Sequence, residues 1–148
     1  MKYVAYGSNM SVAQMAHRAP DAHIIGTGHI VGARLEFYIH ATIEYTGNPH
    51  DVVPVAVWEI SPADKTRLDR YEGYPSYYVR HIVSVHMEDG SQIKGMVYTM
   101  TSCYPAMPSV SYYLGIYDAY KNLGLGSEIE TVLVPALARS KRRMHDAV

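Results

Sequence analysis

The chain begins with Tyr3-Val4-Ala5-Tyr6, a run of strand-forming residues that leads directly into Gly7-Ser8-Asn9. Aromatic and β-branched residues favour a strand, whereas Gly-Ser-Asn favours a tight turn. Residues 11–19 then follow a helical spacing of apolar side chains that Pro20 ends. The chain must therefore fold a strand, a sharp turn and a helix in direct succession.

The turn at Gly7-Ser8-Asn9 is suited to binding an anion. Glycine lets the backbone approach a ligand closely, and we expect Gly7 to adopt a conformation open only to glycine. Backbone N–H groups at such a turn can hold a carboxylate or an oxyanion, and the N-terminus of the following helix strengthens that attraction. The same residues are also common in turns that only reverse the chain. The turn alone does not separate these two interpretations.

The rest of the chain combines strand and helix patterns. Alternating or apolar runs predict strands at about residues 23–31, 34–43, 53–60, 77–88 and 91–100, and helical spacing predicts helices at about 62–72, 109–122 and from Ser127 onward. Strands paired mainly as antiparallel neighbours with helices outside them make an α+β protein. No repeat or linker divides the 148 residues, so we expect one domain spanning 1–148.

Several helix ends carry start and stop signals. Ser61-Pro62-Ala63-Asp64 supplies an N-cap, a proline at the first helical position and an acidic residue in the first turn. Gly73 is suited to end that helix. Near the C-terminus, Ser127 and Glu130 match a capping box, and Pro135 is expected to kink or break the last helix.

Four segments, in this order and spacing, resemble one known family. They are the Ala5-to-Asn9 opening, an Ala41-Thr42-Ile43 strand, the Val57-Trp58 strand end and the Leu68-to-Gly73 helix end. Together they resemble the γ-glutamylcyclotransferase, or AIG2-like, family over about the first hundred residues. Met10 replaces the family's more usual leucine, which is a volume-conserving change.

The resemblance implies a fold and a reaction. The implied fold is a small, mostly antiparallel β-barrel with flanking helices, whose mouth holds the site. In the implied reaction, the free α-amine of a γ-glutamyl group attacks its own γ-carbonyl, releases a free amine or amino acid and closes 5-oxoproline without a cofactor. Glu72 is then the catalytic general acid/base, and the substrate's glutamyl group binds at Tyr6, Gly7, Ser8, Asn9 and Met10.

The family also has a tyrosine that reaches the substrate after a Pro-Ser-x-x pattern. Pro108-Ser109-Val110-Ser111-Tyr112 matches that register. Because Tyr113 is adjacent, the sequence leaves open which of the two tyrosines faces the site.

Physical chemistry supports Glu72 as the proton carrier. A carboxylate in the last turn of a helix lies near the negative end of the macrodipole, and desolvation by Tyr71, Tyr74 and Tyr77 would raise its proton affinity further. The alternative is a solvated glutamate at a frayed helix end. The match of its surroundings to the family favours the catalytic interpretation.

Two other carboxylates compete with Glu72. Asp69 lies one helical turn earlier, where it either orients Glu72 or faces water. Glu59 is predicted to be a solvent-facing strand residue.

Composition and motifs argue against several other classes. A net charge of −1 gives no electrostatic reason to expect nucleic acid or an anionic membrane as partner. His81 and His86 should point to opposite faces of a strand, and no His-x-His or Cys-x-x-Cys spacing occurs, so no metal site is predicted. The absence of Gly-Lys-Ser/Thr and Gly-x-Ser-x-Gly motifs argues against a nucleotide P-loop and a serine hydrolase. No cofactor is implied.

The remaining sequence features bear on location. Cys103 is the only cysteine, so no internal disulfide can form and the composition suits a reducing compartment. The alternative is a catalytic thiol, but Cys103 stands in a Thr-Ser-Cys-Tyr-Pro segment without a patterned partner, so we interpret it as a structural thiol. Met1-Lys2 leads into a strand without the apolar run of a signal peptide or membrane span. We therefore expect a cytoplasmic protein, and we interpret the basic segment Arg139–Arg143 as a solvated end.

Two questions stay open at this stage. A fold relative that has become a binding or interaction module is the alternative function, although such a module has no need of a base at Glu72. The leaving group of the γ-glutamyl substrate is also open, because γ-glutamyl dipeptides, glutathione and γ-glutamyl-amines all fit. The Tyr-Gly-Ser-Asn segment at the start of the chain slightly favours γ-glutamyl-amino acids or a γ-glutamylated metabolite as substrate. The sequence is compatible with a homodimer but does not set the oligomeric state.

Overall fold

The structure, a computed structural model, describes residues 1–147, in which seven β-strands and four α-helices form. The strands are β1 (Lys2–Ala5), β2 (His23–Val31), β3 (Ala33–Tyr38), β4 (His40–Tyr45), β5 (Val52–Glu59), β6 (Tyr78–Met87) and β7 (Gln92–Met100). The α-helices are α1 (Val12–Arg18), α2 (Pro62–Glu72), α3 (Val110–Asn122) and α4 (Val134–Asp146). No helix among these residues is long and apolar enough to cross a membrane.

Five of the strands close into a barrel in the order β1-β5-β2-β6-β7. The neighbours pair antiparallel, except that β1 meets β7 in parallel where Tyr3 lies opposite Met96. Residues Val53–Trp58 of β5 are all buried, as expected for a strand covered on both faces. The mostly antiparallel barrel with flanking helices is therefore confirmed, with one parallel contact added.

The segment predicted as one strand at 34–43 is instead a hairpin of β3 and β4. Ile39 reverses the chain alone, with a φ of 68°, and Tyr38 pairs directly with His40. A β-branched residue rarely adopts this left-handed conformation, so the sequence carries no turn signal here. The backbone N–H of Ile39 donates to the carbonyl of Ala106 at 3.3 Å, which ties the reversal to the loop before α3.

Helix α2 forms as its end signals predict. The Ser61 hydroxyl accepts from the backbone N–H of Asp64, and the Asp64 carboxylate accepts from that of Ser61, which completes a capping box. At the other end Gly73 has a φ of 66°, and the N–H groups of Gly73 and Tyr74 donate to carbonyls in the last turn. This closure, a Schellman motif, ends the helix directly after Glu72.

The start of the last helical segment differs from the prediction. A 3₁₀ turn at Gly126–Glu128 runs into a π-helix at Ile129–Leu133 and then into α4, with no side-chain cap. Ser127 therefore lies inside the first turn rather than before it, so the capping box with Glu130 is wrong. Pro135, expected to kink or break this helix, lies in the first turn of α4, directly after the change from π to α geometry.

The basic segment Arg139–Arg143 is not a solvated end. Glu36 on β3 is 1% exposed, and its carboxylate accepts hydrogen bonds from Arg139 Nε and, at 2.6 Å, from Arg143 Nη1. Arg34 adds an ion pair at 3.3 Å. The two arginines of α4 also donate to backbone carbonyls of β3 at 2.7 and 3.1 Å. This Glu36 cluster fixes α4 to the β3–β4 hairpin, an arrangement that a charge run in the sequence does not reveal.

Cys103 also differs from its predicted role. It lies exposed in the loop between β7 and α3, so its thiol does not pack in the core. Partial burial and the nearby Glu44 carboxylate raise the pKa of this thiol, which favours its neutral form.

Removing the charge of Glu36 should destabilise the fold. In Glu36→Gln the arginines of α4 lose their buried counter-charge, so we expect the free energy of unfolding to fall by about 3–5 kcal/mol in urea titrations. Glu44→Gln, on the exposed side of the same hairpin, is the control and should change it by less than about 0.5 kcal/mol. Equal stability of the two variants would show that the Glu36 cluster does not hold α4.

Candidate active site

A cavity of about 350 Å³ opens at one end of the barrel, where β7 ends and β6 begins. Its walls come from β1, the turn after β1, the start of β4, the end of α2 and the first turn of α3. The residues that line it are Tyr3, Val4, Tyr6, Gly7, Ser8, Asn9, His40, Ala41, Arg70, Tyr71, Glu72, Gly73, Tyr77, Tyr78, Tyr98 and Tyr112. The volume is in the range of small-molecule sites.

The turn after β1 forms one wall as a short 3₁₀ helix, Ser8–Met10. Its third N–H, that of Met10, donates to the Gly7 carbonyl at 3.0 Å. Among residues 1–147, the N–H groups of Ser8 and Asn9 donate to no protein oxygen, as is usual at the start of a helix. They are therefore available to an anion in the cavity.

Gly7 is needed for space rather than for a left-handed conformation. Its φ is −119°, which corrects the expectation of a conformation open only to glycine. A Cβ at this position would lie 3.3 Å from the Ala41 Cβ and 3.4 Å from the Tyr112 hydroxyl. The turn thus approaches β4 and α3 too closely for a larger side chain.

Asn9 connects the turn to the catalytic candidate. Its side-chain N–H₂ donates to the Tyr3 hydroxyl at 2.9 Å and to Glu72 Oε1 at 3.3 Å. Its backbone carbonyl accepts from the Trp58 indole N–H at 3.1 Å. Because Asn9 is only 3% exposed, these bonds fix the turn and the end of α2 relative to each other.

Arg18, at the end of α1, completes this network and was missed in the sequence. Its guanidinium donates to Ser8 Oγ at 3.0 Å and to Asn9 Oδ1 at 2.6 Å, and it lies 3.8 Å from the centre of the Tyr71 ring. The Arg18 guanidinium therefore holds the turn in place. The sequence gives no signal for this contact, because α1 must fold back on the turn to create it.

Glu72 lies at the C-terminal end of α2 with its carboxylate in the cavity. Burial raises the pKa of this carboxyl from its ordinary value of 4.5 to about 7, and the positive charge of Arg18 partly opposes the rise. A carboxyl group with this pKa can both accept and donate a proton near neutral pH.

The tyrosines predicted to surround Glu72 form only part of its surroundings. Tyr74 is absent from the cavity wall, since its ring packs under the Arg80 guanidinium at 3.9 Å. Tyr71 and Tyr77 line the cavity but are 49% and 36% exposed. The buried tyrosines of the wall are Tyr3, Tyr6, Tyr78 and Tyr98. Of these four, only Tyr6 was predicted at the site from the sequence.

The two competing carboxylates have other partners. Asp69 accepts from the Tyr98 hydroxyl at 2.6 Å and lies 3.5 Å from Arg80, so it neither orients Glu72 directly nor faces water alone. Glu59 is solvent-facing, as predicted, and pairs with the N-terminal amine at 2.7 Å. Glu72 is the carboxylate that reaches the cavity.

Tyr112 rather than Tyr113 lines the cavity. Its hydroxyl oxygen accepts a hydrogen bond from the backbone N–H of Ala41 at 3.0 Å. Its O–H group donates to no oxygen among residues 1–147. Burial raises the pKa of Tyr112, so this proton is retained and available to a ligand. Tyr113 packs on Phe37, with ring centres 5.9 Å apart.

The other predicted binding residues divide into wall and support. Tyr6 lines the cavity, and its hydroxyl donates to the Tyr98 carbonyl at 2.6 Å. Met10 is fully buried and does not line the cavity, which corrects its predicted contact with the substrate. Its side chain supports the turn from the core.

Among residues 1–147, no group of three or more His, Cys, Asp or Glu residues is placed to hold a metal ion.

The raised pKa of Glu72 should appear in the pH dependence of stability. The unfolded chain loses the Glu72 proton near pH 4.5, whereas the folded protein keeps it until about pH 7. Protonation of Glu72 therefore favours folding at pH values below 4.5, and this contribution to stability is lost as the pH rises through 7. Glu72→Gln does not titrate. Its free energy of unfolding relative to the wild type should therefore increase by about 1–3 kcal/mol between pH 4.5 and pH 8 in urea titrations.

Glu59 supplies a control of opposite sign. Its hydrogen bond with the N-terminal amine lowers its pKa, so the ionised form favours folding. Glu59→Gln should lose stability relative to the wild type as the pH rises from the lowered pKa of Glu59 to about 4.5, below the range in which Glu72→Gln changes. A constant difference between Glu72→Gln and the wild type would show that the Glu72 pKa is not raised.

Comparison with known proteins identifies relatives of this chain. The family model described as gamma-glutamyl cyclotransferase, AIG2-like, matches residues 3–118. The gamma-glutamylcyclotransferases of Bos taurus and Homo sapiens are each 28% identical over 142 residues, covering 88% of this chain and 76% of their own. A solved gamma-glutamyl cyclotransferase structure superposes with a TM-score of 0.81 at 28% identity, over 90% of this chain and 85% of that one. The chain therefore belongs to the gamma-glutamyl cyclotransferase, AIG2-like family.

Proposed function

We propose that this protein is a γ-glutamylcyclotransferase, which releases 5-oxoproline and a free amine or amino acid from a γ-glutamyl compound. The observation that carries the proposal is the contact between Asn9 and Glu72 across one cavity, which joins a turn with free N–H groups to a carboxyl of pKa about 7. Membership of the family and the names of the relatives support the same activity.

The reaction mainly requires the protein to position its substrate. Nucleophile and electrophile belong to one substrate molecule, so the cavity needs only to fold the glutamyl chain until its α-nitrogen faces its own γ-carbon. A near-attack arrangement of this kind removes much of the entropic part of the barrier. The buried tyrosines around Glu72 exclude water from that arrangement.

Glu72 moves the proton. As the bond between the α-nitrogen and the γ-carbon forms, the Glu72 carboxylate accepts a proton from that nitrogen. It then donates this proton to the departing nitrogen as the original amide bond breaks. The reaction involves no net change of protons or oxidation state, and a pKa of about 7 suits both transfers.

The turn and Tyr112 bind the substrate's oxygens. The free N–H groups of Ser8 and Asn9 stabilise negative charge on the substrate, either its carboxylate or the developing oxyanion. The Tyr112 hydroxyl, held by the N–H of Ala41, donates a hydrogen bond to a substrate oxygen. Gly7 provides the space, and Tyr6 holds the barrel wall behind it.

We further propose that the protein acts on its small-molecule substrate in the cytoplasm. The exposed thiol of Cys103 suits a reducing compartment. The net charge of −1 also favours a small substrate over nucleic acid.

Glu72→Gln tests the catalytic role. The wild type mixed with γ-glutamyl-alanine should form 5-oxoproline, measured by chromatography, and Glu72→Gln should form it at least about a hundredfold more slowly because the proton carrier is lost. Glu59→Gln, outside the cavity, should retain near wild-type turnover. Near wild-type turnover in Glu72→Gln would contradict the assignment of Glu72 as the general acid/base. A wild type that binds 5-oxoproline but forms none would identify a binding module instead.

Gly7→Val tests the role of the turn. The added side chain has no room beside Ala41 and Tyr112, so its methyl groups should occupy the cavity. We expect this variant to fold but to lose binding of 5-oxoproline at least about tenfold in calorimetry, whereas Glu72→Gln retains it. Gly126→Val, at a position with open space, is the matched control. Undisturbed binding in Gly7→Val would remove the turn from the site.

A further inference from the structure

Arg70 is a positive charge on the cavity wall that the catalytic scheme does not use. It lies in the last turn of α2, two residues before Glu72, and its side chain is exposed. Among residues 1–147, its guanidinium forms no ion pair and no hydrogen bond. It is the only lysine or arginine among the described residues that line the cavity.

The neighbouring arginines are all engaged. Arg18 is bound to the turn and to the Tyr71 ring. Arg67, one turn before Arg70, pairs with Asp64 at 2.8 Å, and Arg80 pairs with Asp69. Arg70 is thus the guanidinium at this end of the barrel that is free to bind a ligand.

The geometry of the proposed reaction decides which part of a ligand Arg70 meets. The glutamyl group must contact the turn and Glu72, where Asn9 is almost fully buried. The leaving group is attached to the γ-carbonyl and extends from there to the exposed rim. Arg70 lies on that rim together with Tyr71 and Tyr77.

We propose that Arg70 is a specificity-determining residue that pairs with a carboxylate on the leaving group of the substrate. A guanidinium is planar and always charged, and it matches a carboxylate in a bidentate geometry that an amine or hydroxyl cannot reproduce. Arg70 therefore selects leaving groups that are amino acids over the corresponding amines. This inference rests on the proposed function.

The test compares two substrates that differ only in the carboxylate. Loss of the carboxylate from the alanine part of γ-glutamyl-alanine gives γ-glutamyl-ethylamide, so the ratio of their kcat/KM values measures recognition of that group. In Arg70→Gln this ratio should fall about three- to tenfold, as expected for a partly exposed charge pair. Arg70→Lys should retain part of the ratio, and Arg70→Glu should lower it further than Arg70→Gln, because it repels the carboxylate.

Arg142→Gln is the matched control, since Arg142 is exposed on α4 and away from the cavity. Its substrate ratio should equal that of the wild type. The pH profile of Arg70→Gln should also be unchanged, because the charge that acts on the Glu72 pKa is that of Arg18.

Three results would overturn the inference. An unchanged ratio in Arg70→Gln would show that Arg70 does not bind the leaving group. An equal loss with both substrates would assign Arg70 to the glutamyl part or to the shape of the cavity. If the wild type forms 5-oxoproline from neither substrate, the proposed function fails and this inference fails with it, whereas the first two results leave the proposed function intact.

Discussion

The site depends on the side-chain amide of Asn9. One NH₂ group serves both the Tyr3 hydroxyl and the Glu72 carboxylate, while the amide oxygen accepts from Arg18. These partners come from a barrel strand, the end of α2 and the end of α1, so a single buried residue joins three elements. An amide can do this because it donates and accepts at once without carrying a charge, and because burial makes each of its bonds stronger.

The protonation of Glu72 reflects two opposing effects. Burial disfavours the ionised form, whereas the charge of Arg18 favours that form from behind the turn. Direct contact between Arg18 and Glu72 would hold the carboxyl ionised, and complete burial without Arg18 would hold it neutral. The intervening Asn9 keeps the charge at a distance, which leaves the carboxyl poised near neutral pH.

The sequence predicted those parts of the structure that local chemistry determines. The capping box at Ser61 and the glycine at position 73 define α2 in the sequence itself, so the position of Glu72 at a helix end follows directly. The reversal at Ile39 was missed because it is held by the loop before α3 rather than by a turn-forming residue. Arg18 and Glu36 were missed for the same reason, since their partners lie across the tertiary fold. Met10 was assigned to the site through the family resemblance, but its side chain is buried in the core.

The Glu36 cluster has a consequence for how the site is assembled during synthesis. The hairpin that carries His40 and Ala41 into the cavity wall is held from outside by arginines of α4, which follow Glu36 by 103 and 107 residues. On the ribosome, the turn and the barrel strands emerge long before these arginines do. Until α4 arrives, Glu36 has only Arg34 of its own strand as an ion-pair partner, so the outer support of this hairpin is complete only after Arg143 has been made.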